Sequence, residues 1–331
     1  MKGSKFLMAM VLMLSMNLMA GASEGAENPF KPEKNQIKIA VPGNAYDLIP
    51  WYVAVDSGLY EKEGLKVELL TLGGGAEVMK LVIGKSIDVG LSGLSSASIG
   101  INAGQKIKLF YGGVNSPGWD WYAVPKIKSL SEAKGASLGI TRYGSSTDNL
   151  TRYALKSVGL DPKKDVKILQ VGDSAGRLIA MEKGMLDVSI YQPPYNFFAA
   201  EKGYNLVLSL KNIIKEYPGQ CHFATEDFIK NNPNTIKTLL RAYVQAVRLV
   251  KKDRALSVKS LMKHLLIEEK YAGLAYDYVI SDIHEDGRLP DGKSMDIFWD
   301  ISIMVGEVKE KWPREKYFDS TFIDTYSNWK P

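Results

Sequence analysis

The chain has 331 residues, 45% of them hydrophobic and 24% charged, with a formal net charge of +5. That is the composition of a folded globular protein and excludes a disordered or fibrous one. Lysines are scattered rather than gathered into a basic block interleaved with aromatics, which argues against a nucleic-acid partner. Cys221 is the single cysteine, so an internal disulfide and a multi-cysteine metal site are excluded and a buried small apolar residue is expected.

Lys2 and Lys5 precede an apolar run from Phe6 to Leu14 and the small-residue pattern Ala20-Gly21-Ala22, which reads as an export signal over residues 1–22, cleaved after Ala22. Broken by Ser15 and Asn17, the segment falls short of the ~20 apolar residues of a spanning helix. With no cysteine near the cleavage site, a lipid anchor is not expected. Removal leaves 331 − 22 = 309 residues and, without the two lysines, a charge of +3; the expectation is a periplasmic protein of two domains. Residues 23–35, with Pro29 and Pro32 among polar neighbours, predict a flexible leader.

From Ile37 onward, apolar strand, glycine turn and helix alternate. Ile37 to Val41 predicts a strand, and a helix from about Pro50 carries Trp51, Ala54 and Val55 to a stop at Gly58. Val67 to Leu72 is a second strand; Gly73-Gly74-Gly75 leads into a helix through Met79 and Val82; Ile87 to Leu91 is a third strand. The order then recurs, with a strand at Ser137–Thr141, a helix from Ser146 to Val158 ended by Gly159, and a strand at Val166–Val171. At a constant offset of 99, Val67 meets Val166, Leu70 meets Leu169, Gly73 meets Gly172, Ala76 meets Ala175, and Asp88-Val89 meets Asp187-Val188.

Such a repeat predicts an α/β protein of two similar Rossmann-like lobes joined by two hinge strands, with strand-end loops facing a shared cleft and a helical carboxy-terminal tail. Lobe 1 is expected over 36–121 and 225–331 and lobe 2 over 126–220. The extended stretch Trp121–Val124 predicts a hinge near 121–125, and Gln220–Thr225, after Pro218-Gly219, a return near 220–225. Beyond Pro233, Leu239, Leu240, Tyr243, Val247 and Val250 recur at helical spacing, and this tail is expected to pack mainly on lobe 1.

Ligand contacts are expected at the strand exits. Arg142-Tyr143-Gly144-Ser145-Ser146-Thr147 lies between a strand and a helix, where free N–H groups, hydroxyls and the Arg142 charge suit an anion; simple N-capping would also use Ser145, Ser146 and Thr147. The equivalent turn in the other half of lobe 2 carries Asp173 and Arg177, the latter also readable as surface cover. In lobe 1, Gly74, Gly75, Ser95 and Ser96 could bring backbone donors to a ligand or form ordinary turns. Tyr46, Trp51, Trp119, Trp121 and Tyr191 sit near cleft edges and suit stacking on an organic solute, each with a core position as the alternative. Gln192, before Pro193-Pro194, is a candidate amide contact.

No cofactor motif survives inspection. Gly84-Lys85-Ser86 lacks the first glycine of a phosphate loop, since position 79 is Met79, and Val78 stands where a dinucleotide fingerprint needs its last glycine. His222, His264 and His284 are far apart in sequence and none sits in a metal-ligand spacing, which leaves only a cluster formed in space as an alternative.

Ala54-Val55-Asp56-Ser57-Gly58-Leu59-Tyr60 with Gly64-Leu65 and Val67, Gly84 with Asp88-Val89, the Gly144-Ser145-Ser146 turn and Glu226-Asp227-Phe228 together resemble the solute-binding proteins of ABC importers, in the sulfonate, nitrate, taurine and thiamine-pyrimidine group. The resemblance spans nearly all of the chain after the export signal. It implies the type II periplasmic binding fold, a small organic solute held in the cleft, hinge closure, permease and ATPase partners and a monomeric state. It further implies that Gly144, Ser145 and Ser146 hold an acidic group such as a sulfonate. A related branch contains thiamine-pyrimidine synthases with a cysteine-rich motif and pyridoxal phosphate, and a single cysteine leaves that motif absent. Three readings stand at this point: solute capture for a transporter, ligand sensing for a membrane receptor, and an exported enzyme.

Overall fold

The computed structural model describes residues 28–43 and 45–331; the expected export signal lies outside them. Strands run β1 (Gln36–Pro42), β2 (Lys66–Leu72), β3 (Val89–Ser92), β4 (Ile107–Val114), β5 (Asp120–Ala123), β6 (Ser137–Ile140), β7 (Lys167–Gln170), β8 (Val188–Tyr191), β9 (Asn205–Ser209) and β10 (Gln220–Thr225). They form two five-stranded sheets, ordered β2-β1-β3-β10-β4 and β7-β6-β8-β5-β9. The orders correspond strand for strand, so the two lobes are built alike. In each, three parallel strands are joined by helical crossovers and two further strands complete the sheet.

The repeated Asp-Val has a structural explanation. Asp88 Oδ2 accepts from the Lys38 amide at 2.9 Å, and Asp187 Oδ2 accepts from the Ser137 amide at 3.0 Å. Each carboxylate therefore ties the start of the third strand to the start of the first, at positions related by the same offset of 99. Central strands are buried along their whole length, as strands covered on both faces are; all four residues of β3 and of β8 are buried, including Ser92 and Ser189.

The lobe boundaries differ from expectation. β5 belongs to the second sheet, pairing antiparallel with β8, and β10 belongs to the first, antiparallel to β3. The crossings are thus residues 115–119 and 210–219, each just before the strand expected to be the hinge. Packing decides this: Trp121 is buried and its indole donates to Thr151 of lobe 2 at 3.1 Å, while Cys221 and Phe223 are buried in lobe 1.

Leader residues 28–35 are tied down rather than free. Asn28 Nδ2 donates to the Glu63 carbonyl at 3.0 Å, and the Glu33 carboxylate accepts from the Asn234 and Thr235 amides, capping the helix Pro233–Lys252. That helix and the next, Arg254–Leu265, pack on the lobe 1 helix Ile49–Asp56, as expected of the tail. The helix Gly292–Met304 instead reaches lobe 2, lying against the helix Ser146–Ser157. Beyond it, Glu307 accepts from Asn149 of lobe 2 through Oε2, while its carbonyl accepts from Asn102 of lobe 1 at 3.3 Å. The tail therefore straps the lobes together. Phe298 and Trp299 anchor it against Tyr217, Trp312 and Tyr317.

Candidate ligand-binding cleft

Between the lobes the strand exits enclose a small cavity of about 60 Å³. Its wall includes Gly74 and Gly75 at the start of helix Gly75–Ile83, Gly93 and Ser96 at the start of helix Leu94–Asn102, and Ser145, Ser146 and Thr147 at the start of helix Ser146–Ser157. Three helix N-termini thus converge from both lobes, each contributing unpaired N–H groups and partial positive charge. A wider mouth of about 550 Å³ shares Trp119, Thr141 and Gln192 with the cavity and adds Asp173, Arg177, Leu265 and Leu266.

The Arg142–Thr147 turn is an ordered hydroxyl network. Ser145 Oγ donates to the Arg142 carbonyl at 2.7 Å, and Thr141 Oγ1 lies 2.7 Å from Thr147 Oγ1. Gly144 has φ of +77°, a left-handed conformation that suits glycine, and a Cβ there would also meet Ile99 of lobe 1. Ser146 Oγ sits 3.3 Å from Ser95 Oγ, which in turn lies 3.0 Å from the Tyr217 hydroxyl, so the two lobes touch across the cleft. Gly75 must be glycine for a different reason, since a Cβ would occupy the space of the Ser92 and Ser96 hydroxyls, which bond each other at 3.1 Å.

Of the residues singled out from sequence, Gly74, Gly75, Ser96, Trp119, Ser145, Ser146, Thr147 and Gln192 meet around the cavity. Asp173 stands at the mouth and caps its own helix, accepting from the Gly176 amide at 2.8 Å. Ser95 backs Ser146. Arg142 lies over lobe 1, where a Cβ on Gly73 would come within 2.9 Å of its Nη2. Gly144 lines an outer groove with Ile99 rather than the cavity.

Four residues prove to be core. Trp51 packs on His222 and Tyr243, at centroid distances of 5.0 and 4.7 Å. Tyr46 bonds Ser116 at 3.1 Å, Tyr191 directs its hydroxyl to Met181 Sδ at 3.2 Å, and Trp121 lies inside lobe 2. Large rings after a strand fill the space under the following helix. Arg177 is fully buried, not surface cover: it donates to the Ile190 carbonyl at 2.9 Å and to Ser174 Oγ at 3.0 Å, and burial pushes its guanidinium down to about 10.

Sequence reasoning missed Thr141, Asp47 and Gln220. Gln220 lines the cavity, and its Nε2 stands 3.3 Å from both carboxylate oxygens of Asp47, with Gln192 reaching the same carboxylate from lobe 2. Asp47 is 1% exposed, and burial pushes its carboxyl up to about 6. The position of Gln220 directly after Pro218-Gly219 was the available signal.

A family model described as NMT1/THI5 like matches residues 45–254. The chain belongs to the NMT1/THI5-like family. The match begins after β1 and includes the cavity wall from Ala45 to Gln220. Among relatives, the Bacillus subtilis (strain 168) binding protein YtlA is 25% identical over 234 residues, covering 69% of this chain and 70% of that one. Among solved structures, a Bordetella bronchiseptica RB50 protein superposes with a TM-score of 0.78 at 23% identity, over 90% of this chain and 98% of its own. The periplasmic aliphatic sulphonate binding protein SsuA of Escherichia coli gives 0.68 at 19% identity, over 86% and 91%. The fold is therefore the periplasmic binding fold, and these similar proteins named for a role are binding proteins rather than enzymes. Among the described residues, no helix is long and apolar enough to cross a membrane, and no group of three or more His, Cys, Asp or Glu could hold a metal ion.

Proposed function

We propose that this NMT1/THI5-like protein is the extracytoplasmic solute-binding component of an ABC importer, acting as a monomer in the periplasm. It captures a small organic solute with a sulfonate or other acidic group between its lobes and delivers it to a permease and ATPase. The observation that carries the reading is the convergence of three helix N-termini, two from lobe 1 and one from lobe 2, on one interlobe cavity. An acid bridging those termini holds the lobes together, and the joined lobes form the surface a permease can recognise. Ser145, Ser146 and Thr147 supply hydroxyls, and Arg142 adds positive charge beside the mouth. The kinship with SsuA-like binding proteins supports the same reading.

The test is a thermal-shift screen of ligand-free protein against sulfonates, carboxylates, nitrate and neutral heterocycles, followed by calorimetry. A solute at a hundredfold above its Kd adds about 2.7 kcal/mol of stability. Selective stabilisation by acidic solutes is expected, as is weaker binding in Arg142→Ala combined with Ser146→Ala. Unchanged affinity in that double variant would overturn the acidic-group assignment.

A further inference from the structure

Two polar atoms in the cavity wall are buried without a partner, the Trp119 indole N–H and the Gln220 side-chain carbonyl Oε1. Gln220 is 5% exposed, so bulk water does not satisfy that oxygen. Its orientation is set from behind. Nε2 faces both oxygens of Asp47 at 3.3 Å, and an ionised carboxylate only accepts, so the amide nitrogen is consumed and the amide oxygen is left over. Both residues belong to lobe 1, so the pairing is built within that lobe, and Gln192 of the other lobe approaches the same carboxylate. A buried carbonyl without a donor is costly, and a site holding one discriminates against any ligand that fails to supply the donor.

We infer that the captured solute carries an N–H donor, an amine or an amide, received by Gln220 Oε1, and that Asp47 is the positioning residue that turns Gln220 to face it. The unpartnered indole N–H of Trp119 asks for an acceptor on the same solute, so donor and acceptor are both read. This rests on the cavity being the solute site, as proposed above. It adds to the acidic group a second recognised element near the crossing segments.

The test uses two matched pairs on the purified protein, by calorimetry and ligand-observed NMR: 2-aminoethanesulfonate against ethanesulfonate, and propionamide against butanone. The N–H-bearing member of at least one pair is expected to bind tenfold or more tightly than its partner. That ratio is expected to fall to within about threefold in Asp47→Asn, whose new amide can donate to Gln220 and let it present either end, and in Gln220→Met, which has no amide. The ratio is a readout that a merely structural role would leave alone. Equal affinities within both pairs would overturn the donor inference while leaving acid capture standing. A wild-type preference undiminished in both variants would overturn the assignment to Gln220 and Asp47. Binding of propionamide over butanone with neither sulfonate bound would support the donor and overturn the acidic-group reading. Silence to all four would overturn both.

Discussion

Gly93→Ala tests whether the proposed solute capture brings the two lobes together at the cleft. Gly93 has φ of −62° and ψ of 151°, a conformation any residue adopts, so within lobe 1 alone the substitution is unstrained. By narrowing the unfolded ensemble it should add about 0.4–1 kcal/mol. Across the cleft the consequence has the opposite sign, because the new methyl would stand 2.5 Å from Ser146 Oγ of lobe 2 and 3.4 Å from the Pro218 and Gly219 carbonyl oxygens. Ser146 would have to leave its rotamer and its contact with Ser95, or the lobes would have to part. Overpacking of this kind costs about 1–3 kcal/mol, which is a Kd weakened roughly 5- to 150-fold. Calorimetry with a ligand from the screen, beside melting of the ligand-free protein, should show weaker binding with an unchanged or raised Tm. Adding Ser146→Ala removes the clashing oxygen, so Gly93→Ala should cost less affinity in that background than in wild type. Wild-type affinity in Gly93→Ala would mean that the ligand-bound lobes do not approach at this point, and would refute the closure geometry.

Two further outcomes follow from buried charge. Glu307 keeps a partly exposed stem but encloses an unpartnered Oε1 between the lobes, and burial, reinforced by Asp148, pushes its carboxyl up from 4.5 to about 8. The folded protein therefore holds a proton that the unfolded chain releases, and the stability so gained is full below pH 4.5 and lost as pH rises toward 8. Glu307→Gln should thus gain roughly 2–4 kcal/mol relative to wild type between acidic and mildly alkaline pH, after allowing for water at the stem; urea melts in that range showing a constant difference would refute it. Arg241 and Glu63 pair at 2.8 Å with side chains 3% and 5% exposed, and Arg241 also donates to the Trp329 carbonyl at 3.0 Å. Arg241→Ala should cost about 3–5 kcal/mol, seen as a lower urea midpoint, because it strands a buried carboxylate.

The fold was legible in the sequence because its signals are local or repeated. Strand, glycine turn and helix can be read one segment at a time, and the recurrence of Asp88-Val89 as Asp187-Val188 marks two lobes without reference to any contact. Which sheet a short apolar strand joins is not local. Nothing within Asp120–Ala123 or Gln220–Thr225 tells that the first belongs to lobe 2 and the second to lobe 1; that is set by Trp121 reaching Thr151 and Phe223 entering the other core. The same limit hid Asp47 and Gln220, which are 173 residues apart in sequence. Aromatics misled for a related reason, since a ring near a strand end has the same sequence appearance whether it faces a cleft or fills the space beneath a helix. The Ser145–Thr147 turn could be placed at the cleft because its position at a strand exit is fixed by local order alone.

The offset that relates the lobes also relates the contacts between them. Adding 99 to Asp47 gives Ser146, and adding it to Gly93 gives Gln192. The approach of Gly93 to Ser146 is therefore the pseudo-symmetric mate of the contact between Gln192 and Asp47: each lobe's first strand-to-helix turn meets the exit of the other lobe's third strand. A cavity lying on such an axis would have two matching ends if the side chains matched. They do not. One mate brings together a glycine and a serine hydroxyl at a helix N-terminus, a donor-rich end suited to an acid. The other brings an amide to a buried carboxylate, which also engages Gln220 and leaves that side chain's oxygen unmatched, an acceptor-rich end suited to an N–H group. Duplication explains why the cleft sits where it does, and divergence at these paired positions gives a nearly symmetric frame two chemically different ends, which is what the proposed capture of a solute bearing both an acid and an N–H group requires.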